Sequence, residues 1–455
     1  MKKKENERQG IEVQKTVKSV PATPVSIKKR KIFKRVACIV GAVAAVVGVF
    51  FSGWFARWFS IEPEMRSLIT VKDRIDAEYY EDVSNERFYE AIFGAINDEV
   101  LDKYSGYMTA EEYAAETESM KGKQLGIGLV LRTQDENGNP QILVTRVCGN
   151  SPAETANIPV GARIVGFGKS ETQLTRSEVY DDFKSFLETC AEDESFFVEY
   201  THAGERVVSS ICRSAYVENY VFYRTNKSAY TFTGKNALTA TERGEELSVL
   251  DNDTAYIRLI QFTGNAAKEF DEAMKLFKQD GKKNLVIDLR GNGGGYMDVL
   301  ADIASYFCKD GSAKPTVAVA DYGEKREKFK ADRNLYKQFF GADSRICVLA
   351  DGDSASASEC LLGCMLDYGA LTYEDICLSE WNGEAKTYGK GIMQTTYYVD
   401  PIKKDAVTLT TARISWPVSD TCIHGRGILE TDGTKKVVGS YEGEIELQNA
   451  IKALF

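Results

Sequence analysis

The feature that most constrains the fold is a pair of uninterrupted apolar strands, each followed at once by a loop of small residues. Asn284–Arg290 runs into a glycine-rich turn, and Ile346–Ala350 runs into a serine cluster. Continuous apolar runs indicate strands buried on both faces, as in parallel sheets covered by helices. Helical patterns alternate with strands over residues 216–440, which predicts an α/β domain. In such a domain the loops at the carboxyl ends of the strands carry the chemistry.

Further elements are expected around these two strands. The pattern predicts a strand at Thr254–Leu259 and helices at Asn265–Asp280 and Met297–Phe307. A helix should also begin at the serine cluster and end near Tyr368, before a glycine that can stop it. Residues 441–455 are expected to form a C-terminal helix.

The serine cluster Asp353–Glu359 offers a candidate nucleophile at the start of a helix. Ser356 and Glu359 match a capping box, so an ordinary helix cap also explains the pattern. A catalytic role is favoured by the small neighbouring residues and by the backbone N–H groups of a helix N-terminus, which could stabilise an oxyanion. The turn Gly293–Gly295 could supply a second donor. A nucleotide-binding loop is disfavoured, because its Gly-Lys-Ser/Thr ending is absent.

A serine nucleophile needs a base, and histidine is scarce in this chain. The two histidines are His202 and His424, and the second stays open as a candidate. Lys390 is favoured as the base because glycines flank it, which suits a buried turn. Burial would lower the pKa of its amine and so favour the neutral form that can accept a proton. A solvated surface charge is the ordinary alternative for any lysine. In a strand, Gln394 would share a face with Lys390 and could hold its amine.

Three ordered motifs together resemble those of the carboxy-terminal processing peptidases, also called tail-specific proteases. The motifs are Asp288–Gly295, Ser354–Glu359 and Tyr388–Gly391, and the resemblance covers about residues 65–440. It implies a crotonase-like or Clp-protease-like ββα catalytic core that uses no metal and no cofactor.

The resemblance also implies roles for individual residues. Ser356 matches the nucleophile, Lys390 the general base and Gln394 the residue that orients the lysine. Asp367 matches an acidic position at the end of the nucleophile helix. Oxyanion N–H groups are implied at Ala357 and at Gly294, with Gly295 as the alternative to Gly294.

The chain departs from the family pattern in three places, one of which is Gly427–Asp432, where the usual proline before the aspartate is missing. Lys103 replaces a proline in the segment Asp102–Tyr113, which otherwise looks like the family's Asp-Pro-Tyr-Ser segment. The stretch before Lys390 is several residues longer than the family norm. Its insertion, Tyr373–Glu384, is expected to form a lid or a different strand connection, and it makes Lys386 a rival base.

Residues 122–215 resemble a PDZ domain. The segment Leu125, Gly126, Ile127 and Gly128 looks like the family's carboxylate-binding loop. In that loop, backbone N–H groups bind the terminal carboxylate of a peptide that adds as a strand to the sheet edge. Gly-x-Gly alone also fits an ordinary strand start, but the downstream segments 151–154 and 161–165 match as well, except for alanine after Gly161.

The N-terminus combines a basic tail with an apolar segment of membrane length. Residues 1–35 hold twelve Lys or Arg and three Glu, so they carry about +9, whereas the whole chain carries −10. Val36–Phe55 has 20 residues without a charge, enough to cross a bilayer. The positive-inside rule puts the tail in the cytoplasm and the body outside the cell membrane, with Trp54 and Trp58 in the outer aromatic belt. A cleaved signal peptide is the alternative.

The rest of the sequence indicates which partners and ligands to expect. Residues 61–120 are expected to be helical and are a candidate surface for self-association. The ten cysteines show no CxxC spacing, which argues against a metal site and favours small buried side chains. The acidic body argues against binding to nucleic acid.

These features predict a multidomain α+β protein: a membrane-anchored extracytoplasmic serine endopeptidase with a Ser–Lys dyad, recruiting proteins with apolar C-termini through its PDZ domain. The alternative is a non-catalytic PDZ scaffold, which the intact serine, lysine and glutamine set disfavours. A third hypothesis is a latent protease whose PDZ domain blocks the site until a partner binds.

Overall fold

The computed structural model describes residues 24–135, 137–233, 238–242, 244–380, 383–400, 402–438 and 444–454. The chain divides into two compact units, Met1–Ile92 and Phe93–Phe455. Most of the predicted cytoplasmic tail, the Trp54 side chain and residues 381–382 of the insertion lie outside the described part.

The first unit is helical. It holds α1 (Pro24–Ser60), α2 (Pro63–Glu78) and most of α3 (Asn85–Ala95). Within α1, Phe33–Ser60 is long and apolar enough to cross a membrane, with a mean hydropathy of 2.4. Lys72 of α2 pairs with Asp76 and lies 5.3 Å from the ring centroid of Phe88, which joins α2 to α3. The expected apolar segment Val36–Phe55 therefore lies inside one continuous helix.

The second unit opens with a π-helical turn, a short strand and a capped helix. These are Ile96–Val100, β1 (Gly106–Met108) and α4 (Ala110–Met120). The Thr109 N–H donates to Glu112 Oε2 at 2.8 Å and the Glu112 N–H to Thr109 Oγ1 at 3.3 Å, which fixes the start of α4. The helix start predicted here is confirmed, whereas β1 interrupts the region expected to be helical.

A small β-rich region follows, with a hydrophobic core of its own. Its elements are β2 (Lys123–Gly126), β3 (Leu129–Gln134), β4 (Pro140–Val147), α5 (Pro152–Thr155), β5 (Arg163–Ser170), β6 (Gln173–Thr175), α6 (Tyr180–Glu188), β7 (Ser195–His202), β8 (Glu205–Cys212) and β9 (Ser214–Val217). The main sheet has the order β3-β4-β5-β7-β8, and β2 pairs separately with β9. From α6, Phe183 packs on Phe167, and both are buried.

The larger α/β region supplies the rest of the second unit. Its first elements are β10 (Val221–Arg224), β11 (Ala229–Thr233), β12 (Thr239–Glu242), β13 (Thr254–Leu259), α7 (Ala266–Gln279), β14 (Asn284–Asp288), α8 (Met297–Ala304), β15 (Thr316–Asp321), β16 (Arg326–Lys330) and α9 (Tyr336–Phe339). Its later elements are β17 (Ile346–Ala350), α10 (Ala357–Asp367), β18 (Ile376–Glu380), β19 (Ile392–Tyr398), β20 (Ala406–Ser415), β21 (Lys435–Val438) and α11 (Glu444–Leu454).

Two sheets organise this region. The larger has the order β12-β11-β10-β13-β14-β17-β18-β21 and is parallel from β13 to β21. Residues of α7, α8 and α10 share one buried cluster with it, and α11 belongs to a second cluster with Val286, Leu349 and Cys377. The smaller, antiparallel sheet contains β1, β20, β15 and β16, with β19 paired to β20. The mixed α/β content and the buried parallel strands predicted from the apolar runs are confirmed.

The helix that follows the serine cluster is anchored by burial. Leu361, Leu362 and Met365 of α10 are wholly buried, and each such side chain contributes about 1.5–3 kcal/mol to folding. Seven of the ten cysteines are buried, as expected of small core residues. Among them, Cys364 of α10 lies with its sulfur 3.6 Å from that of Cys308.

Candidate active site

The two loops singled out in the sequence meet because their strands are neighbours. Strands β14 and β17 pair in parallel, so their carboxyl ends lie at the same edge of the sheet. Asn292 joins the two loops: its carbonyl oxygen accepts from the Ala355 N–H at 3.0 Å and from Ser358 Oγ at 2.9 Å. Ser354 Oγ adds a third link by donating to the Leu289 carbonyl at 2.8 Å.

These contacts separate the three serines of the cluster. Ser354 and Ser358 are completely buried, and their hydroxyls are engaged by backbone groups of the loops. Ser356 lines a cavity of about 670 Å³ instead. Its φ of 56° is unusual for a residue other than glycine, a strain that clusters at functional sites. Ser356 is thus the serine whose hydroxyl can reach a ligand in the cavity.

The glycine loop lies directly against Ser356. A Cβ on Gly294, whose φ is 102°, would approach Ser356 Cβ and the Ala355 carbonyl oxygen to 2.8 Å, so only glycine fits there. The Gly294 N–H donates to Asn292 Oδ1 at 2.9 Å and is already used. Among the described residues, no acceptor is found for the N–H groups of Gly295 and Ala357. The structure therefore leaves Gly295, the alternative named above, with the available N–H.

Glu359 ties the serine loop to the segment that carries the lysine. It is completely buried, and its carboxylate accepts from the Ser356 N–H at 3.0 Å, the Gly389 N–H at 2.7 Å and the Lys390 N–H at 2.9 Å. It also accepts from Thr387 Oγ1 at 2.6 Å. Burial raises the pKa of Glu359, while these four donors favour the charged form. The sequence indicated only a capping residue here, because donors some 30 positions away leave no local pattern.

Lys390 lies half-buried in the same cavity as Ser356. Burial lowers the pKa of its amine, with a smaller lowering from the charge of Lys103. Its Nζ atom lies 4.5 Å from the ring centroid of Tyr104 and makes no hydrogen bond with any residue that the structure describes. Gly389 precedes it with a φ of 88°, and a Cβ there would meet the Gly427 nitrogen at 2.9 Å. The flanking glycine thus has a steric reason.

Gln394 also lines the cavity, but Lys390 lies before the strand that was expected to carry both residues. Strand β19 begins only at Ile392, and its pairing with β20 shifts register between Met393 and Gln394. The amide of Gln394 donates to Thr410 Oγ1 at 3.2 Å.

Three other candidate residues lie away from Ser356. Asp367 ends α10 at the opposite end from Ser356, and its carboxylate accepts from the N–H groups of Val418 and Ser419 at 2.8 and 2.9 Å. The structure therefore does not bring it to the cavity. His424 is exposed, and Lys386 pairs with Glu384 at 2.5 Å. Neither lines the cavity around Ser356 and Lys390.

The lengthened segment before Lys390 is a strand connection. Half of the described part of the insertion forms β18, which extends the parallel sheet beside β17. Ile376, Cys377 and Leu378 are wholly buried. A lid is therefore the wrong interpretation for this part of the insertion, because its apolar residues complete the core.

Two acidic residues at the strand ends are buried beside the loops, and the sequence analysis gave neither of them a role. Asp288, at the end of β14, pairs with Arg290 at 2.7 Å and accepts from the Tyr256 hydroxyl at 2.7 Å. Asp351, after β17, accepts from the N–H groups of Gly291 and Ser354 at 3.0 and 3.1 Å. Burial raises the pKa of Asp351 to about 6. The acidic residues at the strand ends were the available signal for both.

The predicted peptide-binding loop lies in the β-rich region. Ile127 and Gly128 offer their carbonyls to the Ala153 and Cys148 N–H groups at 2.8 and 2.9 Å, and no acceptor for their own N–H groups occurs among the described residues. A Cβ on Gly128 would lie 2.0 Å from Ser151 Cβ, so packing alone requires this glycine. Gly126 ends β2, and Leu125 beside it is 51% exposed.

Comparison with known proteins finds similarity to serine proteases. Residues 253–432, which contain Ser356 and Lys390, match the model of peptidase family S41. A probable CtpA-like serine protease of Staphylococcus saprophyticus is 27% identical over 420 residues, covering 90% of this chain and 75% of that protein. Its counterpart in Staphylococcus aureus strain bovine RF122 is 27% identical over 357 residues, so the alignment spans 61% of that relative's length.

Solved structures include two similar chains. The photosystem II D1 C-terminal processing protease is 21% identical, covers 78% of this chain and 84% of its own, and has a TM-score of 0.44. A putative S41 protease from Bacteroides fragilis is 14% identical, with coverages of 82% and 90% and a TM-score of 0.49. The family match over residues 253–432 and the sequence relatives support a serine-type peptidase of the carboxy-terminal processing group, similar to peptidase family S41.

Proposed function

We propose that the chain is an endopeptidase in which Ser356 is the nucleophile and Lys390 the general base. The observation that carries the proposal is that both side chains line one cavity at the carboxyl end of a parallel sheet. Burial lowers the pKa of Lys390, so its neutral form is more populated at a given pH than that of a solvated lysine. The buried carboxylate of Glu359 fixes the backbone of both residues.

The proposed reaction follows from these positions. Lys390 swings from the ring of Tyr104, takes the Ser356 hydroxyl proton, and Ser356 Oγ attacks the carbonyl carbon of the substrate. The N–H groups of Ala357 and Gly295 stabilise the oxyanion, assisted by the N-terminus of α10. The lysine then protonates the leaving amine, and water hydrolyses the acyl-enzyme by the reverse proton transfers. Gln394 limits the motion of the lysine from the same cavity wall.

Recruitment of substrates is proposed for the β-rich region, in the manner of a PDZ domain. Strand β3 is the terminal strand of its sheet, so an extended peptide could add beside it. The N–H groups of Ile127 and Gly128 would bind the terminal carboxylate. Because the partly exposed Leu125 adjoins this loop, proteins with apolar C-terminal tails are the proposed partners.

Location is proposed from the first unit. The helix α1 contains one segment of membrane length, and the sequence before it is rich in lysine and arginine. The positive-inside rule then leaves the N-terminus in the cytoplasm and the peptidase outside the cell membrane. The substrates would accordingly be membrane or exported proteins.

The test uses the full chain in detergent with an unfolded protein that ends in an apolar tail, and mass spectrometry of the products. Cleavage should require the tail and should disappear in Ser356→Ala and in Lys390→Ala. Lys386→Ala is the matched control, because that lysine is paired with Glu384 outside the cavity, and it should cleave normally. Cleavage by Lys390→Ala, or its loss in Lys386→Ala, would assign the base to another residue. Tail binding without cleavage by the wild type would favour the scaffold hypothesis.

A further inference from the structure

The turn that contains Tyr104 places an aromatic ring against the amine of Lys390, the proposed base. Tyr104 lies in the turn between the π-helical segment and β1, and its ring lines the catalytic cavity. The Lys390 Nζ atom lies 4.5 Å from the centroid of this ring, within the range of a cation–π interaction. We propose that Tyr104 is a positioning residue that holds the protonated Lys390 away from Ser356 until the lysine loses its proton. This inference rests on the proposed function of Lys390.

The turn is held firmly enough to act as a fixed support. The Tyr104 N–H donates to Asp102 Oδ1 at 2.9 Å, and the Ser105 N–H to the Asp102 carbonyl at 3.0 Å. Ser105 Oγ accepts from the Thr410 N–H at 2.9 Å, which joins the turn to β20. Thr410 also accepts a hydrogen bond from the Gln394 amide. The same residue of β20 therefore holds both the turn and a side chain that lines the cavity.

The hydroxyl of Tyr104 is fixed from the other side. It donates to the Tyr388 hydroxyl at 3.0 Å, and Lys103 Nζ donates to the same hydroxyl at 2.6 Å. Lys103 Nζ also lies 4.9 Å from the Tyr104 ring centroid and 5.2 Å from that of Tyr388. The Tyr104 ring therefore contacts two lysines, and the Tyr388 hydroxyl restrains its hydroxyl end.

The ring of Tyr104 favours one protonation state of Lys390 over the other. A cation–π interaction stabilises the ammonium and not the neutral amine. The ring therefore opposes the burial that lowers the pKa of Lys390. The other groups facing the lysine are Tyr388 and Asp102, which favour the ammonium, and Lys103, which disfavours it. Once Lys390 is neutral, the ring no longer retains it, and the amine is free to turn to the Ser356 hydroxyl.

The departure at residue 103 fits this arrangement. Lys103 is exposed, but its charge repels the ammonium of Lys390 and lowers the pKa of that residue. Removing the Tyr104 ring and removing the Lys103 charge should therefore change the protonation of Lys390 in opposite directions. A merely structural role for either residue predicts no such opposition.

The experiment measures kcat/KM against pH for the full chain, using a fluorogenic peptide with an apolar C-terminus. The acid limb of this profile reports the pKa of the base in the free enzyme. In Tyr104→Leu the limb should move to lower pH by about 0.5–1 unit, since the ammonium loses its aromatic partner. Tyr104→Phe keeps the ring and should leave the limb within about 0.2 unit of the wild type.

Lys103→Gln supplies the opposing variant. Its limb should move to higher pH by about 0.2–0.5 unit, and the shift should shrink as salt is added, because exposed charges are screened. Tyr104→Met is a second variant without a ring, in case Tyr104→Leu proves unstable in thermal denaturation, and it should shift the limb as the leucine does.

The outcomes separate this inference from the proposed function. If Lys390→Ala cleaves the peptide, Lys390 is not the base and the proposed function itself fails. If Lys390→Ala is inactive, but Tyr104→Leu and Tyr104→Met lower kcat/KM equally at every pH, the positioning role is overturned. A limb that moves upward in those variants would overturn it as well.

Discussion

The serine and lysine sides of the site are built by different means. The serine side is local: Ser354, Ser356 and Ser358 follow one strand, and the outer two bind backbone groups of the adjoining loops. The lysine side comes from a distant stretch of chain, and its backbone reaches the site through the carboxylate of Glu359. The comparison teaches that a short pattern specifies the position of the proposed nucleophile, whereas one buried side chain specifies where the proposed base lies.

The largest expected effects distinguish a serine needed for activity from a serine needed for stability. Ser356→Ala should lower kcat/KM by at least about 10⁴-fold and leave the free energy of unfolding unchanged. Ser354→Ala should instead lose about 1–3 kcal/mol of that free energy, because it leaves the buried Asp351 N–H without its partner and removes one of the two donors to the Leu289 carbonyl. Activity assays and urea denaturation of both variants measure the two quantities.

One pair of results would contradict the roles expected of Ser354 and Ser356. An inactive Ser354→Ala of wild-type stability, beside an active Ser356→Ala, would mean that the cluster presents a different hydroxyl to the substrate.

The next effect concerns the link between the two sides. Glu359→Gln replaces a carboxylate that accepts four hydrogen bonds by an amide whose NH₂ group faces donors. We expect a loss of about 3 kcal/mol in the free energy of unfolding. We also expect kcat to fall about 100-fold with little change in KM, because a displacement of the lysine of about 1 Å suffices.

Stopped assays at saturating substrate and urea denaturation test this expectation. Glu374→Gln is the control, since that glutamate is exposed in a 3₁₀ turn before β18 and should behave as the wild type. A rise in KM at constant kcat would place Glu359 in substrate binding instead.

The same contrast explains what could be predicted from the sequence. The strands β14 and β17 and the helix α10 were expected within a few residues of their observed bounds, because burial on both faces leaves a continuous apolar run. The cap pattern predicted the start of that helix, whereas the role of Ser356 came from the family resemblance and stays a proposal. Pattern and structure agree where the contacts lie close together in the chain.

The lysine side was less predictable for a physical reason. The second role of Glu359, the register shift at Gln394 and the ring of Tyr104 all depend on contacts between distant segments. Strand β18 was masked by the acidic residues around it, although its own centre is apolar and buried. Asp367 matched a family position but has a structural duty at the far end of its helix.

A smaller effect tests the wall beside the lysine. Gln394→Ala removes a side chain that lines the cavity and should lower kcat about tenfold by leaving the amine of Lys390 less restricted. His424→Ala is the control: this exposed histidine should change kcat by less than about twofold if it is not the base. Steady-state kinetics of the two variants at one pH suffices. A reversal of the two effects would reopen the histidine as the base.

The smallest expected effect concerns Asp367. The family resemblance placed this residue in the site, but in the structure it lies at the far end of α10. Asp367→Asn weakens two hydrogen bonds to the Val418 and Ser419 N–H groups and should cost about 1 kcal/mol of unfolding free energy. Because no reacting group lies at that end of α10, kcat/KM should stay within about twofold of the wild type. A tenfold loss of kcat with stability retained would mean that the far end of the helix influences Ser356, and the serine side would then be no more local than the lysine side.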